Sequence, residues 1–477
     1  MRRAVGAALG GVAALLLALD LASPMAGRAQ PLGVRQLANE APQILQELAQ
    51  LRGLPSPGLP PRVVVRSREE RRRFIVGELN RKYPATRLDA ERRAMVVWGL
   101  IPPGFDLRGF LTDLVVEQAA AYYDPIGKVM ALANWLGSDE QREALTHELV
   151  HLLQDRQIDL DRFLTASPGK GDEALARQAL IEGEAVALTL DRTLRRQGQD
   201  LGRLPDVASL QRAILVSATG PVVGRAPRFL RALLTFPYAP GLGFVHQFRR
   251  RYAWAEFSRL YADPPRSTAQ ILHPERYLDR REDPVPLSLP DLGPALGPGA
   301  RRIIEDDAGE FGLAGILGEF LGDEAGAAGW RGDRYALWDD GRGTPVLVAL
   351  SVWEDEATAA AFSEAYTRLL LRKHGLPTPT AGTPWLTAWR VGEQAFAVER
   401  RGREVLLLER APASALDAIR STLWASRPSA RAHPVLSPAG GRALGEGSGN
   451  HPPHPGPAFS LPREGERAAA ATARRPG

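Results

Sequence analysis

The sequence has 477 residues, of which 44% are hydrophobic and 24% charged, a composition typical of a folded chain with two or three domains. It excludes collagen-like and wholly disordered architectures, and the absence of cysteine excludes disulfides and thiolate metal ligands. The net charge of +5 arises at the ends: residues 1–29 hold three Arg against one Asp, and residues 426–477 hold seven Arg against three Glu. Because the remainder is close to neutral, we expect no nucleic-acid partner.

The first 29 residues have the pattern of a cleavable export signal. Arg2 and Arg3 precede an apolar run over residues 4–19, and Gly27 and Ala29 are small residues suited to a cleavage site before Gln30. The run is shorter than the roughly 20 residues that a membrane span requires. We therefore expect export to a periplasmic or extracellular location, with no stable membrane insertion of the mature chain.

Hydrophobic periodicity and turn residues predict the elements of the first part of the chain. Ser67 and Glu70 have the spacing of a capping box, which marks the start of a helix. Helices are expected to predominate from 139 to about 251. The earlier predicted elements are a helix over 36–51, a Pro/Gly linker, a strand over 62–66, a helix from Ser67 to about 82, a turn over 122–125 and a strand over 128–133.

The second part of the chain has a different pattern. Five prolines between 281 and 299 indicate an irregular linker, and the pattern after it predicts an α+β module. Its six tryptophans (Trp330, Trp338, Trp353, Trp385, Trp389 and Trp424) are expected mainly in its core. The predicted domains are 1–29 signal peptide, 30–61 N-terminal helix and linker, 62–280 main domain, 281–299 linker, 300–425 α+β accessory domain and 426–477 disordered tail.

The strongest chemical signal is the sequence His-Glu-Leu-Val-His at 147–151. Residues four apart on a helix lie on the same face, so His147 and His151 can bind one metal ion, with Glu148 beside them. Zinc suits such ligands and activates a water molecule, whose proton Glu148 would accept as general base. The surrounding residues are apolar, so this helix is expected to be buried, where unpaired His and Glu side chains would be costly.

A third metal ligand is expected from a second apolar helix, 31 residues after His151. Glu182 lies in an apolar stripe of that helix and is the preferred ligand, with Glu184 as the alternative. Asp155, one turn after His151, is either a residue that orients an imidazole or a plain surface acid.

These residues resemble those of the gluzincin metallopeptidases, in which a glutamate of a later helix completes the HExxH site. From about Arg62 through the second part, the chain is similar to a largely uncharacterised family of exported bacterial zinc peptidases. The shared segments are Tyr123-Asp124-Pro125, Gln154-Asp155, Glu182-Gly183-Glu184-Ala185, Phe236-Pro237-Tyr238 with Gly241, and the run from Pro264 to Tyr277. The segment Arg251-Tyr252-Ala253-Trp254 departs from the family pattern by lacking a Gly-Gly pair. The resemblance implies a zincin-like fold whose small sheet binds an extended substrate along its edge strand, which we expect at 128–133.

The expected function is therefore a zinc-dependent peptidase acting on peptide or protein substrates. A group that stabilises the oxyanion is also needed, and Tyr238 and His273 are the candidates, because they lie in loop-like surroundings. His246 and His374 are expected on the surface. The alternative is a noncatalytic scaffold protein that zinc only braces, with the C-terminal module binding a partner. The oligomeric state is not predicted.

Overall fold

The structure is a computed structural model that describes residues 34–58, 62–82, 84–118, 121–124, 127–133, 138–218, 220–379 and 381–427. The predicted signal over 1–29, and all of the predicted tail from residue 428 on, lie outside the described residues. The fold is α+β, as predicted: a mostly helical first part is followed by a part built on a large sheet. No helix in the described ranges combines the length and the apolar character that crossing a membrane requires.

Within the described residues, the first part contains fourteen α-helices, two short 3-10 helices and three strands. Its strands are β1 (Arg62–Arg66), β2 (Ala121–Asp124) and β3 (Val129–Ala133). Its helices are α1 (Val34–Arg52), α2 (Arg68–Lys82), α3 (Ala85–Trp98), α4 (Leu107–Gln118), α5 (Ser138–Gln157), α6 (Leu160–Thr165), α7 (Gly171–Arg196), α8 (Ala208–Ser217), α9 (Pro221–Gly224), α10 (Arg228–Thr235), α11 (Ala239–Arg251), α12 (Arg259–Ala262), α13 (Thr268–Leu272) and α14 (Glu275–Leu278).

The small sheet corrects one prediction. Its strand order is β1-β3-β2, so the strand expected at the edge, β3, is central: it pairs in parallel with β1 and antiparallel with β2. The Val-rich β1 pairs with the side of β3 that was expected to be free. The edge strand beside the HExxH helix is instead β2. The turn expected over 122–125 lies later in the chain: Tyr122 to Asp124 belong to β2, and residues 127–128 form a turn in which Gly127 N donates to Asp124 Oδ1.

Helix α7 crosses α11 at very short range through two glycines. A Cβ on Gly183 would lie 2.5 Å from the backbone of Gly241, and a Cβ on Gly241 would lie 2.4 Å from the carbonyl oxygen of Ala179. Real Cβ atoms do not approach backbone so closely, so both positions require glycine for this packing. The contact fixes the face of α7 that carries Glu182.

The second part is built on a seven-stranded sheet. Its elements are α15 (Gly293–Leu296), β4 (Arg301–Asp306), α16 (Gly309–Leu321), β5 (Trp330–Asp339), β6 (Pro345–Trp353), α17 (Glu356–His374), β7 (Ala381–Thr383), β8 (Leu386–Val391), β9 (Gln394–Arg401), β10 (Glu404–Pro412) and α18 (Leu416–Ala425).

The strand order of this sheet is β4-β5-β6-β10-β9-β8-β7, and every pair of neighbouring strands is antiparallel. One face of the sheet packs on α16 and α17, and the other face packs on α15 and α18. Successive side chains of β5 and β6 alternate between these two faces, as expected for a β-strand. Of the six tryptophans, Trp385 is exposed and the other five are buried.

The two parts share one continuous apolar core. Phe311 of α16 packs against Phe229 and Phe236, with ring centroids 5.7 and 4.5 Å away. Trp98 of α3 makes an edge contact with Tyr335 of β5 at 5.6 Å. The large sheet and its helices are therefore packed on the helical part through buried side chains.

Acidic side chains of the second part bind the start of α7. The first N–H groups of a helix have no partner within the helix and need acceptors. Gly171 N donates to Asp306 Oδ1 at 2.7 Å, and Asp172 N donates to Asp307 Oδ1 at 2.8 Å. The side chain of Asp172 accepts in turn from Thr268 N at the start of α13. The second part therefore caps the helix that carries Glu182.

Replacing Gly183 by Ala should destabilise the protein by about 1–3 kcal/mol, because the new Cβ overpacks the α7–α11 crossing. Gly77→Ala is the matched control: Gly77 is exposed on α2, and no neighbouring group lies within 4 Å of the position that an added Cβ would occupy. This change should stabilise the protein by roughly 0.5–1 kcal/mol. Chemical denaturation measures the free energy of unfolding of both variants and of the parent. Equal effects of the two substitutions would contradict the close crossing.

Glu409 of β10 is buried with Lys373 and His374, which lie 2.6 and 2.8 Å from its Oε2. Burial alone would raise the pKa of Glu409, but these two side chains outweigh it and lower the pKa to about 2. A carboxylate with a lowered pKa stabilises the fold above its unfolded pKa of about 4.3, and the contribution is lost as the pH falls towards 2.

Glu409→Gln should therefore lower the free energy of unfolding by about 3 kcal/mol at pH 7, and the difference from the parent should shrink below about pH 4. Glu393→Gln is the control, since Glu393 pairs with Arg342 at an exposed site and should matter little. Denaturation of the three proteins from pH 7 to pH 3 measures the effect. A difference in the free energy of unfolding between Glu409→Gln and the parent that does not change with pH would contradict a stabilising role of the Glu409 charge.

Candidate metal centre

Helices α5 and α7 bring His147, His151 and Glu182 together. Their ligand atoms all lie within 4.8 Å of one another, and all three residues are buried. Glu182 Oε2 lies 3.2 Å from His147 Nε2 and 3.5 Å from His151 Nε2. Two imidazole nitrogens and a carboxylate oxygen are donors that can hold a divalent metal ion.

The buried polar atoms fit a metal ion. His151 Nε2 and Glu182 Oε1 are inaccessible to solvent and have no hydrogen-bond partner among the described residues. Burial alone would lower the pKa of His151, but Glu182 and Glu148 outweigh it and raise the pKa to about 10. The same surroundings lower the pKa of Glu182, because the imidazoles outweigh its desolvation. The site therefore favours positive charge at the point where the three ligands converge.

Glu148 lies on the same turn of α5 and is held by the edge strand. Its Oε2 accepts a hydrogen bond from the backbone N–H of Tyr123 at 2.6 Å. Burial raises the pKa of Glu148, Glu182 adds to the rise, and the two imidazoles oppose it. A buried carboxylate with a raised pKa, fixed in orientation beside a metal site, is suited to accept and return a proton.

Gln154 contacts the imidazole of His151, a role that was not predicted from the sequence. Gln154 Oε1 lies 2.7 Å from His151 Nδ1. The spacing of three residues on one helix is a signal that could have suggested it. Asp155 does not orient an imidazole and is not a surface acid: its buried carboxylate accepts from Tyr123 OH at 2.8 Å and from Lys128 Nζ.

The alternative third ligand, Glu184, points elsewhere. It is buried against Arg52, whose Nε lies 2.6 Å from Glu184 Oε1. Its other oxygen accepts hydrogen bonds from Gln154 Nε2 at 2.8 Å and from the hydroxyl of Tyr261. The structure therefore brings Glu182, and not Glu184, to the histidines.

The two candidates for oxyanion stabilisation lie in different places. Tyr238, at the start of α11, is buried, and its ring centroid is 6.4 Å from that of His147. His273, just after α13, has its Nε2 2.7 Å from Glu310 Oε1 of the second part. Tyr238 therefore lies beside His147, whereas His273 contacts Glu310 of helix α16.

Of the two histidines predicted on the surface, His246 is buried and His374 is partly buried. His246 is 1% exposed, and its Nε2 lies 3.1 Å from the carbonyl oxygen of Leu204. The side chain of His374 is 9% exposed because it pairs with the buried Glu409. Charged sequence neighbours suggested exposure, but each imidazole lies on the inner face of its helix.

Residues 300–420 match a family described as a domain of unknown function (DUF8575). This region corresponds to the large sheet and its helices and does not include the ligand helices α5 and α7. No curated protein and no solved structure matches the chain.

Glu182→Gln should weaken zinc binding by at least about 100-fold, because a neutral amide replaces the charged ligand. Glu173→Gln is the matched control on the same helix: Glu173 is buried, but it bonds Ser167 and Arg177 instead of the histidines. Competition with a chromophoric chelator gives both affinities. Equal zinc affinity of Glu182→Gln and the parent would contradict the assignment of this ligand.

Proposed function

We propose that the chain is an exported zinc-dependent peptidase of the gluzincin type. The observation that carries the proposal is the convergence of His147, His151 and Glu182, with Glu148 fixed beside them by an edge strand. A purely structural zinc site needs ligands but has no use for a buried general base held in place. The presence of Glu148 therefore favours hydrolysis over the alternative of a scaffold braced by zinc.

Strand β2 is the surface that we assign to the substrate. It is at the end of the small sheet, so one of its sides is not paired with another described strand. An extended peptide can add to such an edge through backbone hydrogen bonds. Because Tyr123 of β2 contacts Glu148, a peptide bound along this edge would pass close to the general base.

Zinc bound at this site would supply a Lewis acid that activates water and polarises the scissile carbonyl. Glu148 moves the proton. Its Oε2 is held by Tyr123 N–H, so Oε1 is the atom that accepts a proton from the attacking water and returns it to the leaving nitrogen. Tyr238 beside His147 is the candidate donor to the developing oxyanion.

The export part of the proposal rests on residues 1–29. Their basic start, apolar run and small residues before Gln30 have the arrangement of a cleavable signal. With the signal removed, the mature chain would begin just before α1. Its compartment would then be periplasmic or extracellular.

Glu148→Gln should abolish turnover of a peptide substrate, by at least about 10²-fold, while leaving zinc content and thermal stability close to those of the parent. Glu143→Gln is the matched control, because Glu143 is an exposed residue of the same helix. The measurement is cleavage of a peptide library, with zinc per chain determined on the same samples. Undiminished cleavage by Glu148→Gln would contradict the proposal, and a zinc-loaded parent that cleaves nothing would favour the scaffold alternative.

A further inference from the structure

We infer that Arg52, the last residue of α1, is a positioning residue of the metal centre and acts on His151 through Glu184 and Gln154. The inference rests on the proposed function in one respect, because it takes the histidine site to bind zinc. It assigns a role to a residue 99 positions before His151 in the sequence, in a helix that contains no ligand.

Arg52 is one of the most deeply buried charged side chains of the protein, with 1% of its surface exposed. Its guanidinium reaches three acceptors: Glu184 Oε1 at 2.6 Å, the carbonyl oxygen of Trp254 at 2.6 Å and Ser258 Oγ at 3.2 Å. Burying an arginine this completely is unfavourable unless its donors are paired. The fork geometry of the guanidinium allows it to hold Glu184 and the 254–258 segment at once.

Glu184 connects Arg52 to the ligand helix α5. One carboxylate oxygen faces Arg52, and the other accepts from Gln154 Nε2 at 2.8 Å. The hydroxyl of Tyr261 donates to the same oxygen. Glu184 is thus a buried anion whose charge is balanced by Arg52 and whose position is fixed from two sides.

Gln154 has a single possible amide orientation. Its Nε2 lies 2.9 Å from the carbonyl oxygen of Ile181, which can only accept a hydrogen bond. The amide oxygen must therefore face His151 Nδ1, at 2.7 Å. An acceptor at this position keeps the proton of the ring on Nδ1 and leaves the lone pair of Nε2 for the metal.

Arg52 matters to this chain of contacts because it balances the charge of Glu184. Without Arg52, the negative charge of Glu184 would be buried with only neutral donors around it, which is strongly unfavourable. Glu184 would then move or recruit other partners, and Gln154 would lose one of the two acceptors that hold its amide. The imidazole of His151 would be oriented less precisely.

The contact between Arg52 and Glu184 also gives α1 a role. A helix that precedes a peptidase domain could be a removable pro-segment, but α1 supplies the only described cation within hydrogen-bond distance of Glu184. Helix α1 also pairs with α7 through Glu47 and Arg192, and with α5 through Glu40 and Arg142. Residues 34–52 therefore belong to the metal-binding unit.

The test compares zinc affinities of full-length variants by chelator competition. Arg52→Met should weaken zinc binding about 10- to 100-fold, the effect usual for losing a residue that orients a ligand. The matched control is Arg192→Met, which also removes an ion pair between α1 and α7 but lies outside the Arg52–Glu184–Gln154 contacts. Its zinc affinity should stay within about threefold of the parent.

A double-mutant cycle with Gln154→Leu tests whether Arg52 acts on His151 through Gln154. If Arg52 acts through Gln154, Arg52→Met should have little further effect on zinc affinity once Gln154 is replaced. Full additivity of the two substitutions would overturn the inference. So would unchanged zinc affinity of Arg52→Met, or equal losses in Arg52→Met and Arg192→Met.

Arg52→Lys keeps the inference testable if the methionine variant does not fold. Lysine retains the positive charge beside Glu184 but cannot make all the hydrogen bonds of the guanidinium to Trp254 and Ser258. The stability of the protein should therefore fall, while its zinc affinity stays within about threefold of the parent. A folded lysine variant that loses as much affinity as Gln154→Leu would overturn the inference. A parent protein that binds no zinc would instead overturn the proposed function, so the two failures are distinguishable.

Discussion

The structure depends on one constraint: two imidazoles and a carboxylate are buried together where the apolar helices α5 and α7 meet. Glu182 is fully buried, and its Oε1 has no hydrogen-bond partner in the described part of the chain. Burying a carboxylate whose oxygens are only partly paired is costly in an apolar interior, and a divalent cation bound among these three side chains would offset that cost. The surrounding elements are arranged so that these three side chains stay in place.

Three features hold the ligand helices. Gly183 and Gly241 let α7 and α11 approach closely enough to fix the rotation of α7. Asp306 and Asp307 bind the first N–H groups of α7, so the large sheet stabilises the helix from its start. Arg52 of α1 donates a hydrogen bond to Glu184, which lies two residues after Glu182 on α7. The domain of unknown function is therefore connected to the ligand helix by direct hydrogen bonds, although it contributes no ligand.

The sequence was sufficient to predict what depends on local pattern. The capping box is present, since Ser67 N donates to Glu70 Oε2 and Glu70 N donates to Ser67 Oγ. Strand β1 has the predicted bounds, and the second part forms the predicted α+β module. The short helix α15 lies within the linker that was expected to be irregular, so that part of the prediction is wrong. The pairing of HExxH with a glutamate of a later helix could also be predicted, because helical spacing fixes which side chains share a face.

What depended on long-range pairing could not be predicted. The position of β3 in the middle of the small sheet follows from its parallel pairing with β1, which lies more than 60 residues earlier. The burial of His246 and the partial burial of His374 follow from tertiary contacts, which the charged residues beside them in the sequence do not indicate. The role of Arg52 depends on Glu184, and nothing in the local sequence of α1 indicates that contact.

A crystal structure of the zinc-loaded protein, with anomalous diffraction recorded on both sides of the zinc absorption edge, tests the central claim most directly. The predicted result is one strong anomalous peak within about 2.0–2.2 Å of His147 Nε2, His151 Nε2 and a carboxylate oxygen of Glu182. An ordered α5–α7 contact without a peak between these residues, in crystals grown with excess zinc, would contradict the claim.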